Sequence, residues 1–240
     1  MTMSASAPPV AAAAEPRAQK ADIALLLEGT FPYVSGGVSS WVNQIIKAFP
    51  EYSFALVFIG SQESDYGEAK YKLPDNVVHL ERHYIHAPEE KPPVRALAGD
   101  AKTYALVERL HAYFRAPSPE AEPVIGEALA ALSPSGKLSD ASFLYSRASW
   151  DFTTAQYRKF SRDPSFIDYF WTIRTMHQPL WMLSRIAETL IPVRAYHTVS
   201  TGYAGFLAAI LKWKTGRPVI LSEHGIYTKE RKIDLFQSEW

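Results

Sequence analysis

The chain has 240 residues, of which 47% are hydrophobic and 21% are charged, a composition ordinary for a globular protein. Its 25 basic and 25 acidic side chains balance formally, so no excess of positive charge indicates binding to nucleic acid or to an anionic membrane. Cysteine is absent, which excludes a disulfide framework, a thiolate metal site and a cysteine nucleophile. The length predicts one domain that carries an insertion.

Residues 1–20 are rich in alanine and proline and are predicted to form a disordered tail. No basic residue precedes the short apolar run at 10–14, so the charged start of a signal peptide is missing. The longest apolar runs, such as residues 23–27, fall far short of the roughly 20 residues that span a bilayer. We therefore expect no membrane span, and the composition is compatible with the cytoplasm.

A strand, a loop and a helix are predicted in the first ordered stretch. Residues 22–27 (DIALLL) form a short apolar run typical of a buried strand, and the apolar residues from Val38 to Ile46 share one helical face. Between them, Gly36 and Gly37 stand just before the helix, where glycine permits a positive φ and free backbone N–H groups can face an anion. Two interpretations stay open here: a phosphate-binding loop, or an ordinary turn with Ser35 as the helix cap.

Strand and helix patterns alternate along the rest of the chain. A second buried strand is predicted at residues 53–59, and further strands are predicted at residues 77–80, 193–199 and 218–221. Helices are predicted at residues 102–114, 120–132, 152–160, 166–190 and 202–213. A linker is predicted at 88–93 (PEEKPP), and a helical insertion at about 94–190. The whole pattern predicts an α/β fold with a Rossmann-like, mainly parallel sheet interrupted by this insertion.

Ligands of parallel α/β sheets bind beyond the carboxyl ends of the strands, which singles out three stretches. They are Glu28 with the following glycine loop, residues 197–201 (HTVST) and residues 222–227 (SEHGIY). The imidazoles of His197 and His224 both donate and accept hydrogen bonds and titrate near neutral pH, so either is a candidate to orient or deprotonate a hydroxyl. The alternative is a structural hydrogen bond at a strand end.

Glu223 stands next to His224 and is a candidate to fix its tautomer or to act as a base itself. Adjacent residues of an extended strand point to opposite faces, so these two side chains converge only in a loop. Gly225, directly after His224, makes such a loop plausible.

Three other patterns receive a structural interpretation. The aromatic-rich stretch at 166–181 is assigned to helix core packing. The basic cluster is read as a solvated face rather than a phosphate site: Lys229, Arg231 and Lys232. The histidine series resembles metal-ligand spacing on a helix, but the local pattern favours a strand and loop, so no metal site is expected: His79, His83 and His86.

Several familiar motifs are missing from the chain. No G-x-G-x-x-G follows the first strand, and neither G-x-x-x-x-G-K-[ST] nor G-x-S-x-G occurs. Their absence makes it less favourable to interpret the chain as a dehydrogenase, a P-loop enzyme or a hydrolase. An enzyme that uses a sugar nucleotide remains compatible with the sequence.

Three long motifs resemble the N-terminal part of the PelF-type glycosyltransferases: LLLEGTFPYVSGGVSSWVNQII, YHTVSTGYAGFLAAILK and LSEHGIYTKERKID, in the same order. The resemblance covers roughly residues 22–240. It implies a retaining glycosyltransferase of family 4 with the GT-B fold, of which this chain is the acceptor-side domain. It also implies a UDP-sugar donor and a role in building the Pel exopolysaccharide on the cytoplasmic side of the membrane.

The resemblance assigns roles to individual residues. Gly36 and Gly37 match the loop that approaches the donor's phosphates. His197, Glu223 and His224 match motifs of the interdomain cleft and are the expected catalytic residues. The remaining expected cleft or acceptor-binding residues are Glu28, Ser200, Thr201, Tyr203 and Gly225. Neither a metal nor a cofactor besides the donor is expected.

In the family, the nucleotide lies mainly on a C-terminal domain, which this sequence lacks up to Trp240, so we expect the chain alone to be inactive. The expected partners are the UDP-sugar, a growing glycan acceptor and membrane-bound Pel synthase subunits, which would place a cytoplasmic protein at the inner membrane. Nucleic acid is not expected. Two alternatives from other classes are a non-catalytic module that binds glycan or synthase subunits, and a nicotinamide-dependent dehydrogenase, which the missing fingerprint disfavours.

Overall fold

The computed structural model describes residues 16–86, 97–121, 123–133, 136–161 and 165–225. One sheet contains the five strands β1 (Ile23–Glu28), β2 (Phe54–Gly60), β3 (Val77–Tyr84), β4 (Ala195–Thr198) and β5 (Val219–Leu221). Their order is β3-β2-β1-β4-β5, and each neighbouring pair is parallel. The predicted α/β fold with a Rossmann-like parallel sheet is confirmed.

Helices account for most of the remaining structure. The α-helices are α1 (Gly37–Ala48), α2 (Ala101–Arg115), α3 (Pro123–Leu132), α4 (Asp140–Tyr145), α5 (Arg147–Phe160), α6 (Phe166–Thr189) and α7 (Tyr203–Thr215). Five of them, α2 to α6, stand between β3 and β4, where the sequence predicts a helical insertion. The predicted linker at 88–93 lies outside the described residues. None of the helices in the described ranges combines the length and hydrophobicity that crossing a membrane requires.

The strands β1 and β2 are apolar on both faces, so helices cover the sheet on both sides. Leu25 and Leu27 of β1 face one core, where they pack with Val42 and Ile46 of α1. The alternate residue Leu26 faces the opposite core, together with buried residues of α6 and α7. Side chains alternate between faces along a strand, so a continuous apolar run needs helices on both sides.

The helical block has a hydrophobic core of its own, in which aromatic rings pack around Phe143 and Phe152. Trp181 of α6 is buried there and donates from its indole nitrogen to the Leu138 carbonyl, 2.8 Å away. Beyond Pro179, which stands inside α6, Leu183 is buried in the core of the sheet. The helix α6 therefore joins the two cores.

Two histidines lie side by side in this block, of which His177 is buried and His111 is half-buried. The Nδ1–H of His177 donates to the Ile173 carbonyl at 2.7 Å, so its Nε2 accepts from the Nε2–H of His111 at 2.8 Å. Burial lowers the pKa of His177, and burial with the neighbouring His177 lowers the pKa of His111 to about 4. Both imidazoles are therefore neutral at neutral pH.

The structure corrects three predictions about local structure. The third strand is longer than predicted, because β3 continues to Tyr84 and includes His79 and His83. The short helix α4 is missed by the sequence prediction, although Ser139 caps it by accepting from the Ser142 backbone N–H at 3.1 Å. The predicted cap Ser35 is wrong, since the N-cap residue of α1 is Gly36 and no side chain caps it there.

The last part of the predicted tail is ordered. The Ala18 backbone N–H donates to Val78 at 2.8 Å, and the Leu80 N–H donates to Pro16 at 3.0 Å. These bonds lie along β3, the outer strand of the described sheet, and so they satisfy part of an otherwise unpaired strand edge. The prediction of disorder is wrong for residues 16–20, and residues 1–15 lie outside the described residues.

The lowered pKa values of His111 and His177 predict acid sensitivity. The unfolded chain protonates both histidines near their ordinary pKa of 6.5, whereas folding holds His111 neutral down to about pH 4. Above pH 6.5 the neutral pair makes its full contribution to the free energy of unfolding. As the pH falls toward 4, this contribution decreases by about 1–3 kcal/mol. Denaturant unfolding, followed by circular dichroism across this pH range, measures the loss.

The double variant His111→Leu/His177→Leu is the matched control, because it removes both hydrogen-bonding partners at once. Its stability should depend less on pH in this window. The remaining slope comes from His197, whose pKa burial also lowers, and from carboxylates such as Glu108, whose pKa is lowered by the hydrogen bond from Lys159. A double variant as acid-sensitive as the wild type would contradict the assignment.

Candidate functional site

The site lies at the carboxyl ends of β1, β4 and β5. The strand order reverses at β1, which has β2 on one side and β4 on the other, so a crevice forms between the loops that leave β1 and β4. Glu28 is the last residue of β1 and stands at this crevice. The structure therefore brings together the loops that the sequence singles out.

Glu28 fixes the loop between β4 and α7. Its Oε2 accepts from the Ser200 hydroxyl at 3.0 Å and from the Ala204 backbone N–H at 3.2 Å. The carboxylate thus satisfies a free N–H in the first turn of α7, where negative charge is favourable. Gly202, the N-cap residue, lies so close that an added Cβ would collide with this carboxylate. The structure thus brings together Glu28 and Ser200, two of the predicted site residues, and Glu28 positions the loop.

Hydrogen bonds hold the rest of this loop against the segment after β5. The Thr198 hydroxyl donates to the Ser200 carbonyl at 2.9 Å. The Thr201 hydroxyl donates to Glu223 Oε1 at 3.2 Å and so joins the two loops. Tyr203 is the first residue of α7 and is exposed.

The two predicted histidines meet across one tryptophan. His197 Nε2 lies 2.9 Å from the Ser222 hydroxyl, and its ring centroid lies 5.7 Å from that of Trp41 on α1. The exposed ring of His224 packs against Trp41 at 4.5 Å, nearly edge to face. Burial, and secondarily the charge of His224, lower the pKa of His197. His197 is therefore a neutral, hydrogen-bonded group, whereas His224 is accessible.

These loops enclose a cleft of about 260 Å³, called here the strand-end cleft, which is lined by Thr30, Val38, Val199, Ser200, Thr201, Glu223, His224 and Gly225. Five of these residues are predicted site residues. Glu223 and His224 both line this cleft. They do so because they follow β5 in a loop, whereas adjacent residues of a strand would point to opposite faces. Residues 226–240, with the predicted basic cluster and Tyr227, lie outside the described residues.

The loop after β1 is anchored by buried aromatic residues and then becomes exposed. Phe31 is fully buried, and Tyr33 packs edge-on against Phe58 at 4.8 Å. Gly36 and Gly37 follow on the surface, and a Cβ added at either would meet nothing within 4 Å. The positive φ that glycine permits is not used here, because Gly36 is extended with φ at 167° and Gly37 is not among the glycines with a positive φ.

The first turn of α1 is open to an anion. It has no side-chain cap and no acidic residue, and both glycines lack a side chain that would shield the backbone N–H groups. Gly36 and Gly37 do not line the strand-end cleft themselves, but Val38, in the same turn, does. The N-terminus of α1 therefore opens beside the cleft.

Thr30 is a site residue that the sequence analysis misses. It lines the strand-end cleft, and its Oγ1 is buried without a hydrogen-bond partner among the described residues. Buried hydroxyls are normally paired, so an unpaired one beside a cleft marks a place for a ligand group. A single threonine in a loop carries no sequence signal for this role, because its isolation depends on the packed neighbours.

The described part of the chain contains no group of three histidine, aspartate or glutamate side chains that could hold a metal ion. The predicted histidine series is instead tied to a carboxylate. Glu81 lies 2.8 Å from the Nε2 of His79 and 3.1 Å from the Nε2 of His83, all on β3. These interactions belong to the strand rather than to the cleft.

A family model described as Domain of unknown function (DUF3492) matches residues 21–240. Neither the curated proteins nor the solved structures contain a match to the chain.

Thr30→Val tests the unpaired hydroxyl. Replacing it by a methyl group of similar shape removes a desolvated polar atom, so the free energy of unfolding should stay constant or rise by up to about 1 kcal/mol. Thr198→Val is the matched control, because that hydroxyl is buried and paired with Ser200; it should lose about 1–3 kcal/mol. Urea unfolding compares them, and equal losses would show that the Thr30 hydroxyl is paired.

Proposed function

The chain belongs to the DUF3492 family, and we propose that it is the acceptor-side domain of a retaining, PelF-type glycosyltransferase that uses a UDP-sugar. The observation that carries this proposal is the strand-end cleft, which an imidazole and a carboxylate line and beside which the open N-terminus of α1 lies. The second imidazole, His197, lies behind it and is joined to His224 through Trp41. Such a combination suits transfer between a diphosphate-bearing donor and a hydroxyl-bearing acceptor. The resemblance of the three cleft-forming motifs to this enzyme class adds to it.

The N-terminus of α1 is the proposed contact for the donor's phosphates. Departure of UDP leaves negative charge on its β-phosphate as the bond to the sugar's anomeric carbon breaks. Fixed N–H groups at an uncapped helix N-terminus stabilise such charge without rearranging. Gly36 and Gly37 leave room for the phosphates to approach the backbone closely.

His224 is the proposed contact for the acceptor hydroxyl. Its ring is exposed at the cleft and held in place by Trp41, so its free nitrogen can accept the hydroxyl proton as the new bond to the sugar forms. Glu223 lies beside it and is positioned by Thr201. His197 is a positioning residue, because its Nε2 is already bonded to Ser222.

The proposal also includes a second lobe, the identity of the acceptor and the place of action. Closure of a second, nucleotide-binding lobe over the cleft would exclude the water that competes with the acceptor. The proposed acceptor is a growing Pel-type exopolysaccharide, and the proposed place of action is the cytoplasmic face of the inner membrane, beside Pel synthase subunits.

His224→Ala should reduce turnover by about 10²–10⁴-fold, because a positioned acid–base group is lost. The assay uses the protein at the full length that its gene encodes. It supplies a UDP-hexose or a UDP-N-acetylhexosamine as the donor and measures the release of UDP. His86→Ala is the control, since His86 is also exposed but lies after β3, away from the cleft.

Unchanged UDP release in His224→Ala would remove its catalytic role. Saturable glycan binding by a wild-type protein that releases no UDP from any of these donors would instead identify a non-catalytic binding module. Tight binding of NADH, followed by its fluorescence, would favour a dehydrogenase.

Gly37→Ala tests the phosphate contact. A Cβ there meets nothing within 4 Å and alanine favours helices, so the free energy of unfolding should be unchanged or up to about 1 kcal/mol higher. Turnover should nevertheless fall, because the methyl group obstructs the approach of a phosphate. Gly202→Ala is the contrasting variant, expected to destabilise the fold by colliding with Glu28. Stability and turnover that are both unchanged in Gly37→Ala would contradict the phosphate contact.

A further inference from the structure

A different set of loops meets at the amino ends of the strands, on the edge of the sheet opposite the strand-end cleft. These loops border a cleft of about 360 Å³, called here the amino-end cleft. Its polar lining residues are Lys20, Asp22, Ser53, Arg194 and Arg217. None of them lines the strand-end cleft, and the six-residue strand β1 separates the two clefts by about 20 Å.

The three cationic side chains of the amino-end cleft come from the entries to three neighbouring strands. Lys20 precedes β1, Arg194 directly precedes β4, and Arg217 precedes β5. These three strands are adjacent and parallel in the sheet, so their amino ends lie side by side. The topology of the sheet therefore gathers three positive charges from distant parts of the sequence.

The protein itself occupies the carboxylate of Asp22. Its Oδ2 accepts from the Ser53 backbone N–H at 2.9 Å and from the Ser53 hydroxyl at 2.7 Å. Its Oδ1 accepts from Nη1 of Arg194 at 3.3 Å. The hydrogen bonds from Ser53, first that of its backbone N–H, lower the pKa of Asp22, so the residue carries one negative charge at neutral pH. Asp22 therefore orients Arg194 and offsets one of the three cations.

Three cations and one carboxylate leave an excess of two positive charges in the cleft. Lys20 and Arg217 are exposed, and neither side chain has a hydrogen-bond or ion-pair partner among the described residues. The Arg194 side chain is 74% exposed, and in the described part of the chain it donates only to Asp22, so other donors of its guanidinium remain. On a chain that is formally neutral, such a local excess attracts an anion.

The chemistry of the amino-end cleft selects among anions. Guanidinium and ammonium groups both donate to phosphate oxygens, and a phosphate group with two negative charges balances the excess. A single carboxylate would balance only half of it. A nucleic acid strand calls for a longer basic surface with aromatic rings for its bases, whereas no aromatic side chain of the described residues lines this cleft.

We propose that the amino-end cleft binds a terminal phosphate group, carried by a small molecule or by a lipid headgroup. The proposal goes beyond the proposed function and does not depend on it, because the cleft lies at the other edge of the sheet. Lys20, Arg194 and Arg217 are the residues that contact the phosphate oxygens.

Calorimetric titration with pyrophosphate, at low salt and without divalent cations, tests the proposal in the protein at the full length that its gene encodes. Pyrophosphate should bind saturably, with a Kd below about 10 mM. Arg217→Gln should weaken binding about tenfold, because a charge-assisted hydrogen bond is lost. Lys214→Gln is the matched control, since it removes the same charge from an exposed position that does not line the cleft.

A second variant separates this cleft from the proposed phosphate contact at α1. The binding that Arg217→Gln weakens should survive Gly37→Ala. A loss of binding in Gly37→Ala, without one in Arg217→Gln, would place the anion at α1 and overturn the proposal. Absence of saturable binding would also overturn it, as would equal weakening by Arg217→Gln and Lys214→Gln. Circular dichroism should show Arg217→Gln folded like the wild type, because this exposed side chain makes no described hydrogen bond.

Vesicles distinguish the two sources of the phosphate group. A lipid headgroup is identified if the protein co-sediments with vesicles of phosphatidylcholine and phosphatidic acid but not with phosphatidylcholine alone. Arg217→Gln should then reduce co-sedimentation, and Lys214→Gln should not. Pyrophosphate binding without such co-sedimentation would identify a soluble phosphate compound. Both outcomes support the amino-end cleft as a phosphate site.

Discussion

The apolar side chains on both faces of β1 and β2 impose the constraint on which the rest of the structure depends. Both faces have to be covered, by α1 on one side and by α6 and α7 on the other. Only crossover connections allow this with parallel strands, so the loops that leave the strands' carboxyl ends all open along one edge. Residues from distant parts of the sequence therefore meet at this edge because of the topology of the sheet alone. They include the side chains that can act as acids, bases or hydrogen-bonding groups.

At that edge, some side chains hold the loops in place and others stay accessible to a ligand. Glu28 is of the first kind. Its Oε2 is occupied by the Ser200 hydroxyl and a backbone N–H of α7, so this carboxylate holds a loop in place. His197 is likewise engaged, with Ser222. The groups left exposed are Glu223 and His224, which stand one loop further along the sheet. A fixed inner layer and an accessible outer layer are what a preorganised site requires, because positioning is complete before the ligand arrives.

The strands were predictable because their signal is local. The predicted strand at residues 22–27 is apolar at every position after Asp22, and the observed strand Ile23–Glu28 differs from it by one residue at each end. The strand-end rule also identified most residues of the strand-end cleft, since topology alone places them together. Properties set by packing were not predictable: the isolation of the Thr30 hydroxyl and the exposure of Trp171 depend on neighbours far away in the sequence.

The helix α6 joins two cores, because its second half reaches the core of the sheet at Leu183 and its first half reaches the core of the helical block at Ile173. Pro179 stands between these halves, where a proline removes one backbone hydrogen bond of the helix. Leu183 is buried in one core and Trp181 in the other, so a shift of the helical block against the sheet would expose one of these apolar side chains to water. The helical block is therefore fixed against the sheet that carries the strand-end cleft.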